Sequence, residues 1–250
     1  MRTFAKQNSV TFFILGGGSN LLFSDYGFDG IVARLTGEFQ LITFGMSVVK
    51  AGSGVRLGGL IQKAVFRSLS GLECMAGVPG TLGGALAGNA GTSEGAIGDL
   101  VSEVDVLSDT GQVQTLKKEE IQFFYRSSSL RNACILAATL NLKKAPKNDI
   151  LDHIKDLISR RAEVQPLDAW SAGSVFKNPE GLSAGKLIEE AGLKGLTFGG
   201  AQVSQKHANF IINTGSAKAS DVRTLIKMVH NKVKETKGVS LELEIKMIGE

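Results

Sequence analysis

Clusters of glycine constrain what this chain can fold into more than any other feature of its sequence. Glycine occupies 31 of the 250 positions, against four for proline, and many of the glycines fall in two segments. Glycine adopts backbone conformations that other residues avoid, and it lets the main chain come close to a ligand or to another loop. The sequence therefore predicts a globular fold in which two loops bring backbone close to a bound molecule.

The first glycine-rich segment follows a short apolar run. Residues 10–15 predict a buried strand, and it leads directly into the Gly-Gly-Gly-Ser-Asn sequence of residues 16–20. Successive glycine N–H groups can face one point and bind a phosphate, and an ordinary tight turn is the alternative. Leu21 stands where the Gly-x-Gly-x-x-Gly dinucleotide pattern requires glycine, and no P-loop sequence occurs in the chain.

The second segment, residues 77–91, is dominated by small residues. Pro79 presets one backbone dihedral angle, Gly80 and the Gly83-Gly84 pair permit close approach of the backbone, and Asn89 adds an amide. Two separate glycine loops suit a long, diphosphate-containing cofactor, because its pyrophosphate and its ring system both need close backbone approach. A pair of close-packed turns is the alternative interpretation.

Composition excludes several classes of function. The net charge of +4 suits anionic small molecules, but the chain has no dense basic block, and only 6% of its residues are aromatic, which disfavours nucleic-acid binding. Cys74 and Cys134 lack metal-ligand spacing, so we expect free thiols in a reducing compartment and no metal. The apolar run at residues 12–15 is too short for a signal peptide or a membrane span, which favours a cytoplasmic protein that does not enter a membrane.

Three polar positions are candidates for chemistry. Ser174 lies between Gly173 and Val175 in residues 172–179, where it can project from a tight bend, although a turn that ends a strand is the alternative. Arg126 follows three aromatic residues and suits a carboxylate or diphosphate ligand, or else a solvated surface position. His207 is either a ligand contact or a satisfied polar residue.

Periodicity predicts several elements of secondary structure. Helices are expected from residue 57 to a stop at Gly71, from residue 150 to before Pro166, and from about residue 221 to Gly238. Residues 103–116 predict a hairpin, and residues 239–248 predict an alternating strand. The charged residues 143–149 contain a proline and are the expected domain boundary, which divides the chain into residues 1–148 and 149–238.

Six segments in a fixed order resemble the UDP-N-acetylenolpyruvoylglucosamine reductases, which are also called UDP-N-acetylmuramate dehydrogenases. They are residues 16–20, 77–90, 125–126, 172–179, 191–213 and 241–249. The resemblance runs across essentially the whole chain. It implies an α+β fold, with a two-subdomain FAD-binding part of the PCMH type, to which residues 239–250 return, and a C-terminal α+β substrate-binding domain.

The resemblance also implies a reaction. NADPH would reduce a noncovalently bound FAD, and the flavin would then reduce UDP-N-acetylenolpyruvoylglucosamine to UDP-N-acetylmuramate for bacterial peptidoglycan synthesis. Arg126 would stabilise an enolate-like intermediate and Ser174 would protonate it, with Glu244 as a third catalytic residue and Glu242 as its structural companion. A serine is a poor acid in water, so Ser174 needs help from Arg126, Glu244 or a nearby cation.

The binding residues that the resemblance implies fall into two groups. The cofactor group consists of Gly16, Gly17, Gly18, Ser19, Asn20, Gly77, Val78, Pro79, Gly80, Thr81, Gly83, Gly84, Asn89 and Ala90. The substrate group consists of Tyr125, Lys177, Asn178, Lys194 and His207. Their amides, ammonium groups and imidazole are donors that suit a sugar nucleotide.

One departure from the family concerns the start of the chain. Family members carry some tens of residues before the first glycine loop, whereas 15 residues precede Gly16 here, so we expect an N-terminally truncated form or an internal start. The lack of an insert after the substrate motifs indicates the shorter subclass. Two alternatives stay open, another FAD-dependent oxidase or dehydrogenase of the same fold, and a truncated, inactive sugar-nucleotide-binding module. The oligomeric state and the preference for NADPH over NADH also stay open.

Overall fold

The computed structural model describes residues 1–249. It contains two compact units. The first unit consists of Met1–Gly17 and Gly30–Arg160, and the second consists of Gly18–Asp29 and the chain from Arg161 onward. The first glycine-rich segment is therefore divided between the units after Gly17.

The elements are numbered in chain order. The helices are α1 (Arg2–Gln7), α2 (Leu57–Phe66), α3 (Leu82–Gly88), α4 (Ile97–Leu100), α5 (Lys147–Val164), α6 (Ala184–Glu190) and α7 (Ala219–Lys237). The first strands are β1 (Phe12–Ile14), β2 (Leu21–Phe23), β3 (Ile31–Ala33), β4 (Ile42–Phe44), β5 (Val48–Gly52), β6 (Leu69–Ser70), β7 (Gly91–Thr92), β8 (Gly95–Ala96), β9 (Val101–Leu107) and β10 (Val113–Lys117). The remaining strands are β11 (Phe123–Phe124), β12 (Ser127–Ser128), β13 (Cys134–Asn141), β14 (Lys143–Lys144), β15 (Trp170–Ser174), β16 (Thr197–Phe198), β17 (Ala201–Val203), β18 (Phe210–Asn213) and β19 (Lys246–Ile248).

An antiparallel sheet forms the centre of the first unit, with strand order β10-β9-β13-β5-β4. Strands β9 and β10 pair from Val113 with Leu107 to Lys117 with Glu103, which confirms the predicted hairpin. The side chains that point inward along β9 are buried, and they pack with the apolar faces of α2 and α3 in one core. This core supports the loops that follow β5 and precede α3.

Helix α2 ends earlier than its sequence pattern predicts. Its apolar face is buried as expected, but it ends at Phe66 rather than continuing to Gly71. Ser68 has a φ of 57°, outside the helical region, and β6 then pairs with β14 through Leu69 and Lys144. A strand pairing with a distant segment thus ends the helix before glycine does.

The second unit contains an antiparallel sheet with strand order β15-β18-β17-β16, covered by α6 and α7. Helix α7 buries Leu225, Ile226, Val229 and Val233, and Gly238 ends it with a φ of 67°, as the sequence predicts. Strand β19 pairs in parallel with β2. These elements enclose a second hydrophobic core.

The predicted strand over residues 239–248 is wrong in its length. Only Lys246–Ile248 form a strand, and Leu243 makes an isolated bridge to Phe176. Leu241 and Ile245 are buried, but Leu243 is 38% exposed, so the apolar residues do not share one buried face. The alternating pattern predicts a regular strand, but the segment pairs with the three-residue strand β2 and, at Leu243, with the single residue Phe176.

The charged residues 143–149 are more ordered than a linker would be. Lys143 and Lys144 form β14, and α5 begins at Lys147 and buries Ile150 in the core of the first unit. The two compact units separate within α5, between Arg160 and Arg161. The domain division after residue 148 stays a prediction.

The two cysteines are free, as predicted. Burial raises the pKa of the Cys74 thiol to about 11, and burial also raises the pKa of Cys134. Neither thiol is therefore activated for nucleophilic chemistry near neutral pH. Among residues 1–249, no helix has both the length and the apolar character that crossing a bilayer requires.

Candidate active site

In the first unit, the two glycine-rich segments pack against each other through their main chains. A side chain on Gly17 would place its Cβ 2.6 Å from Gly80 Cα, and one on Gly16 would reach within 2.7 Å of Thr81 Oγ1. Gly83 donates its N–H to the Ser53 carbonyl at 2.8 Å and leaves no room for a Cβ beside that residue. Main-chain groups rather than side chains therefore make up this part of the surface.

A short hairpin presents Tyr125 and Arg126. Strands β11 and β12 pair through Phe123–Ser128 and Phe124–Ser127, and Tyr125 and Arg126 form the turn between them. Arg126 has a φ of 54°, a conformation that costs a non-glycine residue about 1–3 kcal/mol. Such strained positions persist only where the surrounding structure fixes them.

The end of helix α3 fixes this hairpin. Asn89, which itself has a φ of 44°, donates from Nδ2 to the Phe124 carbonyl at 2.9 Å and accepts from the Gly98 N–H at 3.1 Å. The buried Ser128 hydroxyl donates to the Leu86 carbonyl at 2.7 Å. The side-chain amide of Asn89, which the resemblance assigns to the cofactor, thus makes contacts that hold the hairpin.

The Arg126 side chain is half-buried beside the same elements. Its Nη1 donates to the Gly91 carbonyl at 2.7 Å, and its guanidinium carbon lies 5.5 Å from the centre of the Tyr125 ring. Tyr125 is exposed. A guanidinium held in this way can stabilise negative charge without having to reorganise.

In the second unit, Ser174 lies directly after a bulge in β15. Trp170 pairs with Asn213 and Ser171 with Ile212, but the next pair is Ser174 with Phe210, so β15 has one extra residue. Gly173 has a φ of 83°, which glycine adopts readily. A bulge of this kind bends a strand and changes the direction of the following side chain.

The residues after Ser174 are hydrogen-bonded on both sides. On one side, the Val175 N–H donates to the Asn209 carbonyl at 2.8 Å. On the other, the Glu244 N–H donates to the Val175 carbonyl and the Lys177 N–H donates to the Glu242 carbonyl, both at 2.8 Å. The structure therefore places the main-chain segments that carry the predicted catalytic residues Ser174 and Glu244 side by side.

The second half of the first glycine-rich segment joins this cluster. Asn20 donates from Nδ2 to the Glu244 carbonyl at 3.1 Å, and its own carbonyl accepts from the Lys246 N–H at 3.0 Å. A Cβ on Gly173 would lie 3.8 Å from the Ser19 carbonyl oxygen. Ser19 and Asn20 therefore lie beside the segment that carries Ser174, whereas Arg126 belongs to the first unit.

Two residues of the predicted substrate group lie three and four positions after Ser174. Lys177 forms an ion pair with Glu242 at 2.8 Å, and its hydrogen bond lowers the pKa of that carboxyl. Asn178 accepts the Ala184 N–H at the start of α6 at 3.0 Å. Glu242 thus binds a lysine as well as pairing through its main chain, which fits the structural role that the resemblance gives it.

Two further residues of that group lie together. Burial, and then the nearby Lys194 ammonium, lower the pKa of His207. The Asn209 N–H donates to His207 Nδ1 at 3.2 Å, so in the neutral ring the proton is on Nε2. Lys194 pairs with Glu189 at 2.7 Å. His207 is therefore a neutral donor beside a cation, an arrangement suited to a phosphate oxygen.

Comparison with known proteins identifies the family. Residues 165–248 match the family model of the UDP-N-acetylenolpyruvoylglucosamine reductase C-terminal domain, and residues 2–117 match an FAD binding domain. A UDP-N-acetylenolpyruvoylglucosamine reductase of Alkaliphilus oremlandii is 43% identical over 98% of this chain and 82% of its own length. The chain belongs to the UDP-N-acetylenolpyruvoylglucosamine reductase family.

Other members agree with this result. The reductase of Moorella thermoacetica is 46% identical over 99% of this chain and 82% of its own length. A crystal structure of the reductase from Thermus caldophilus superposes with a TM-score of 0.87 at 40% identity, covering 99% of this chain and 90% of that one. The family resemblance and the α+β fold class are confirmed, and the match to an FAD binding domain confirms that the chain is a flavoprotein.

The residues of the first unit fit the FAD that this reductase family implies. The glycine loops offer backbone groups without side chains that would obstruct a diphosphate, and Gly77 and Gly80 have φ values of 72° and 126°. Ser53 Oγ, beside Gly83, is buried and has no hydrogen-bond partner among the described residues. Bound FAD would be held by these loops and would supply the hydride-transferring centre.

Sequence reasoning missed one residue of this reductase that contacts the Ser174 segment. Asn209 is 4% exposed, and its side-chain amide hydrogen-bonds to the main chain of Phe176. An asparagine between Ala208 and Phe210, directly before the apolar residues 210–212, was the available signal. A buried amide has to find partners, and these partners lie far away in the sequence.

Proposed function

We infer that this chain catalyses the NADPH-dependent reduction of UDP-N-acetylenolpyruvoylglucosamine to UDP-N-acetylmuramate, a step in bacterial peptidoglycan precursor synthesis. The observation that supports this most directly is the pairing of Glu244 with the Ser174 segment, in a chain that belongs to this reductase family. FAD held by the glycine loops would supply the hydride-transferring chemistry that links NADPH to the enolpyruvyl double bond.

Residues of the chain stabilise the negative charge that forms on the substrate and supply the proton that follows. Hydride addition leaves negative charge next to the substrate carboxylate, and we assign its stabilisation to the Arg126 guanidinium. Ser174 then donates the proton from Oγ. Because a serine hydroxyl is a poor acid, we propose that its proton transfer depends on neighbouring charged groups, with Arg126, Glu244 or a nearby cation as the candidates.

Substrate binding is assigned to five polar residues. We propose that Tyr125, Lys177, Asn178, Lys194 and His207 bind the sugar nucleotide. The neutral His207 beside Lys194 supports a role at the diphosphate, since it combines a hydrogen-bond donor with a cation. Asn178 also accepts a hydrogen bond from the start of α6, which fixes the orientation of its amide.

FAD is assigned to the glycine loops. We propose that residues 16–20 and 77–81 contact its diphosphate and ring system, with Gly83, Gly84, Asn89 and Ala90 nearby. The main-chain contact between Gly17 and Gly80 supports this assignment, because it leaves backbone groups as the available donors. A division into an FAD-binding domain of residues 1–148 and a substrate domain of residues 149–238, and a location in the cytoplasm, belong to the same proposal.

A turnover assay with purified protein tests this function. The protein should be yellow, release its flavin when denatured, and consume NADPH only when UDP-N-acetylenolpyruvoylglucosamine is present, forming UDP-N-acetylmuramate in equal amount. A flavoprotein that does not reduce the sugar nucleotide but oxidises another donor would indicate a different oxidase or dehydrogenase. A protein that binds the sugar nucleotide and no flavin would indicate a binding module.

A further inference from the structure

A buried side-chain amide holds the segment that follows Ser174. Asn209 lies immediately before β18, and its side chain donates from Nδ2 to the Phe176 carbonyl at 2.8 Å. The same amide accepts the Phe176 N–H through Oδ1 at 2.9 Å. One side chain therefore satisfies both main-chain groups of a residue two positions after Ser174.

We propose that Asn209 is a positioning residue that sets the direction of the Ser174 hydroxyl for protonation of the substrate. This inference rests on the proton-donor role proposed for Ser174. Asn209 acts through the backbone of residues 174–176, and it takes no part in the chemistry.

The side chain of Asn209 supplies contacts that the sheet does not. The ladder between β15 and β18 ends at the pair of Ser174 and Phe210, because the chain before Phe210 turns away, with the Phe210 N–H donating to the His207 carbonyl at 3.0 Å. Phe176 therefore lies beyond the last paired residue of β18. The amide of Asn209 replaces the strand residue that would have paired with it.

The need for this contact follows from the bulge in β15. The bulge at Gly173 has already broken the regular register of β15, so the direction of Ser174 depends on how the residues after the bulge are held. Val175 and Phe176 are each 2% exposed, which leaves no water to replace a lost partner. If the amide is removed, the main chain of Phe176 has to shift to find other partners, and Ser174 shifts with it.

Few side chains can replace this amide. Both a donor and an acceptor are required at the same position, and an asparagine supplies both. Above the pKa of the introduced carboxyl, an aspartate of the same shape keeps the acceptor but places a second oxygen opposite the Phe176 carbonyl with no hydrogen to donate, so the variants are compared at high pH. Asn209→Asp therefore removes the contact with almost no change in volume.

A matched control lies at the other end of β18. Asn213 uses its Oδ1 to accept from the Gly215 and Ala217 N–H groups at 2.8 Å and 3.0 Å. A carboxylate oxygen can accept both, so Asn213→Asp keeps its contacts. The two variants carry the same chemical change at the two ends of β18.

The experiment measures both half-reactions by rapid mixing for wild type, Asn209→Asp, Asn213→Asp, Ser174→Ala and the double variant of Asn209→Asp with Ser174→Ala. We expect Asn209→Asp to lower the rate of flavin reoxidation by the sugar nucleotide about 10²-fold, because small misplacements of a reacting group cost about this much. Flavin reduction by NADPH and substrate affinity should stay near wild type. Asn213→Asp should match wild type in both steps, and Asn209→Asp should add little to the loss already caused by Ser174→Ala.

Each other outcome contradicts a specific statement. If Ser174→Ala slows reoxidation and Asn209→Asp does not, the positioning role is wrong and the role of Ser174 stands. If Asn209→Asp slows both half-reactions equally, its effect is general and the positioning role is also wrong. If Ser174→Ala reoxidises at the wild-type rate, the proton-donor role fails and the inference fails with it. Flavin content and thermal unfolding are measured for every variant, and Asn209→Ser replaces Asn209→Asp if the latter does not fold.

Discussion

The main-chain N–H of Glu244 donates to the carbonyl of Val175 at 2.8 Å. This hydrogen bond joins the last segment of the chain to the residue directly after Ser174. Asn20, from the first glycine-rich segment, contacts the carbonyl of the same Glu244 at 3.1 Å. Three segments that are far apart in the sequence thus meet next to Ser174.

The bulge before Ser174 should require glycine. Gly173 has a φ of 83°, and the nearest atom that a Cβ there would meet among residues 1–249 is the Ser19 carbonyl oxygen, in ordinary contact at 3.8 Å. The cost of Gly173→Ala therefore comes from the backbone conformation, about 1–2 kcal/mol of unfolding free energy. We also expect slower reoxidation of the flavin by the sugar nucleotide, because the bulge directs Ser174.

Gly58→Ala is the control for this substitution. Gly58 lies inside α2, and a Cβ there would have no atom of the rest of the described chain within 4 Å beyond its own helix backbone. Alanine should stabilise this helix by about 0.5–1 kcal/mol. Thermal or urea unfolding checks both variants, and equal effects of the two substitutions would contradict the account.

Asn89 should support the hairpin that carries Arg126. Asn89→Gly tolerates the φ of 44° but removes the hydrogen bonds to Phe124 and Gly98, which should cost about 1–3 kcal/mol in total. Turnover should fall as well, because the turn at Arg126 is less well fixed. Asn89→Ala should be less stable than Asn89→Gly, since alanine adds strain at a positive φ. Wild-type stability and turnover for Asn89→Gly would show that these contacts do not hold the hairpin.

Asp25 should make the stability of the second unit depend on pH. Its carboxylate accepts the Ala219 and Ser220 N–H groups at the start of α7, at 2.7 Å and 2.9 Å. Hydrogen bonds from Ser220 and then Ala219 lower the pKa of Asp25 below its ordinary value of 3.8. The folded state therefore gains stability from the carboxylate above pH 3.8 and loses it as the pH falls through the lowered folded-state pKa.

Unfolding curves of wild type and Asp25→Asn at several pH values check this prediction. The wild type should be the more stable protein near neutral pH, and the difference should shrink as the solution is acidified. A difference in unfolding free energy that stays constant from neutral pH to below pH 3.8 would mean that the charge of Asp25 contributes nothing to stability.

Local periodicity predicts the parts of this fold that depend on local contacts. Helix α7 has its apolar stripe and its glycine stop within one segment, and the hairpin of β9 and β10 pairs neighbouring residues. The end of α2 could not be predicted, because the pairing of Leu69 with Lys144 determines it. The residues around Ser174 make it a candidate for chemistry, but the catalytic roles predicted for Ser174 and Glu244 depend on the family resemblance. The role of Asn209 depends on its distant partner Phe176.

The most direct measurement follows the two half-reactions separately in Ser174→Ala. Loss of a general acid slows the step it serves by about 10²–10⁴-fold. The account predicts a loss of this size in reoxidation of the reduced flavin by UDP-N-acetylenolpyruvoylglucosamine, while reduction of the flavin by NADPH proceeds at nearly the wild-type rate. An equal loss in both steps, or wild-type reoxidation, would contradict it.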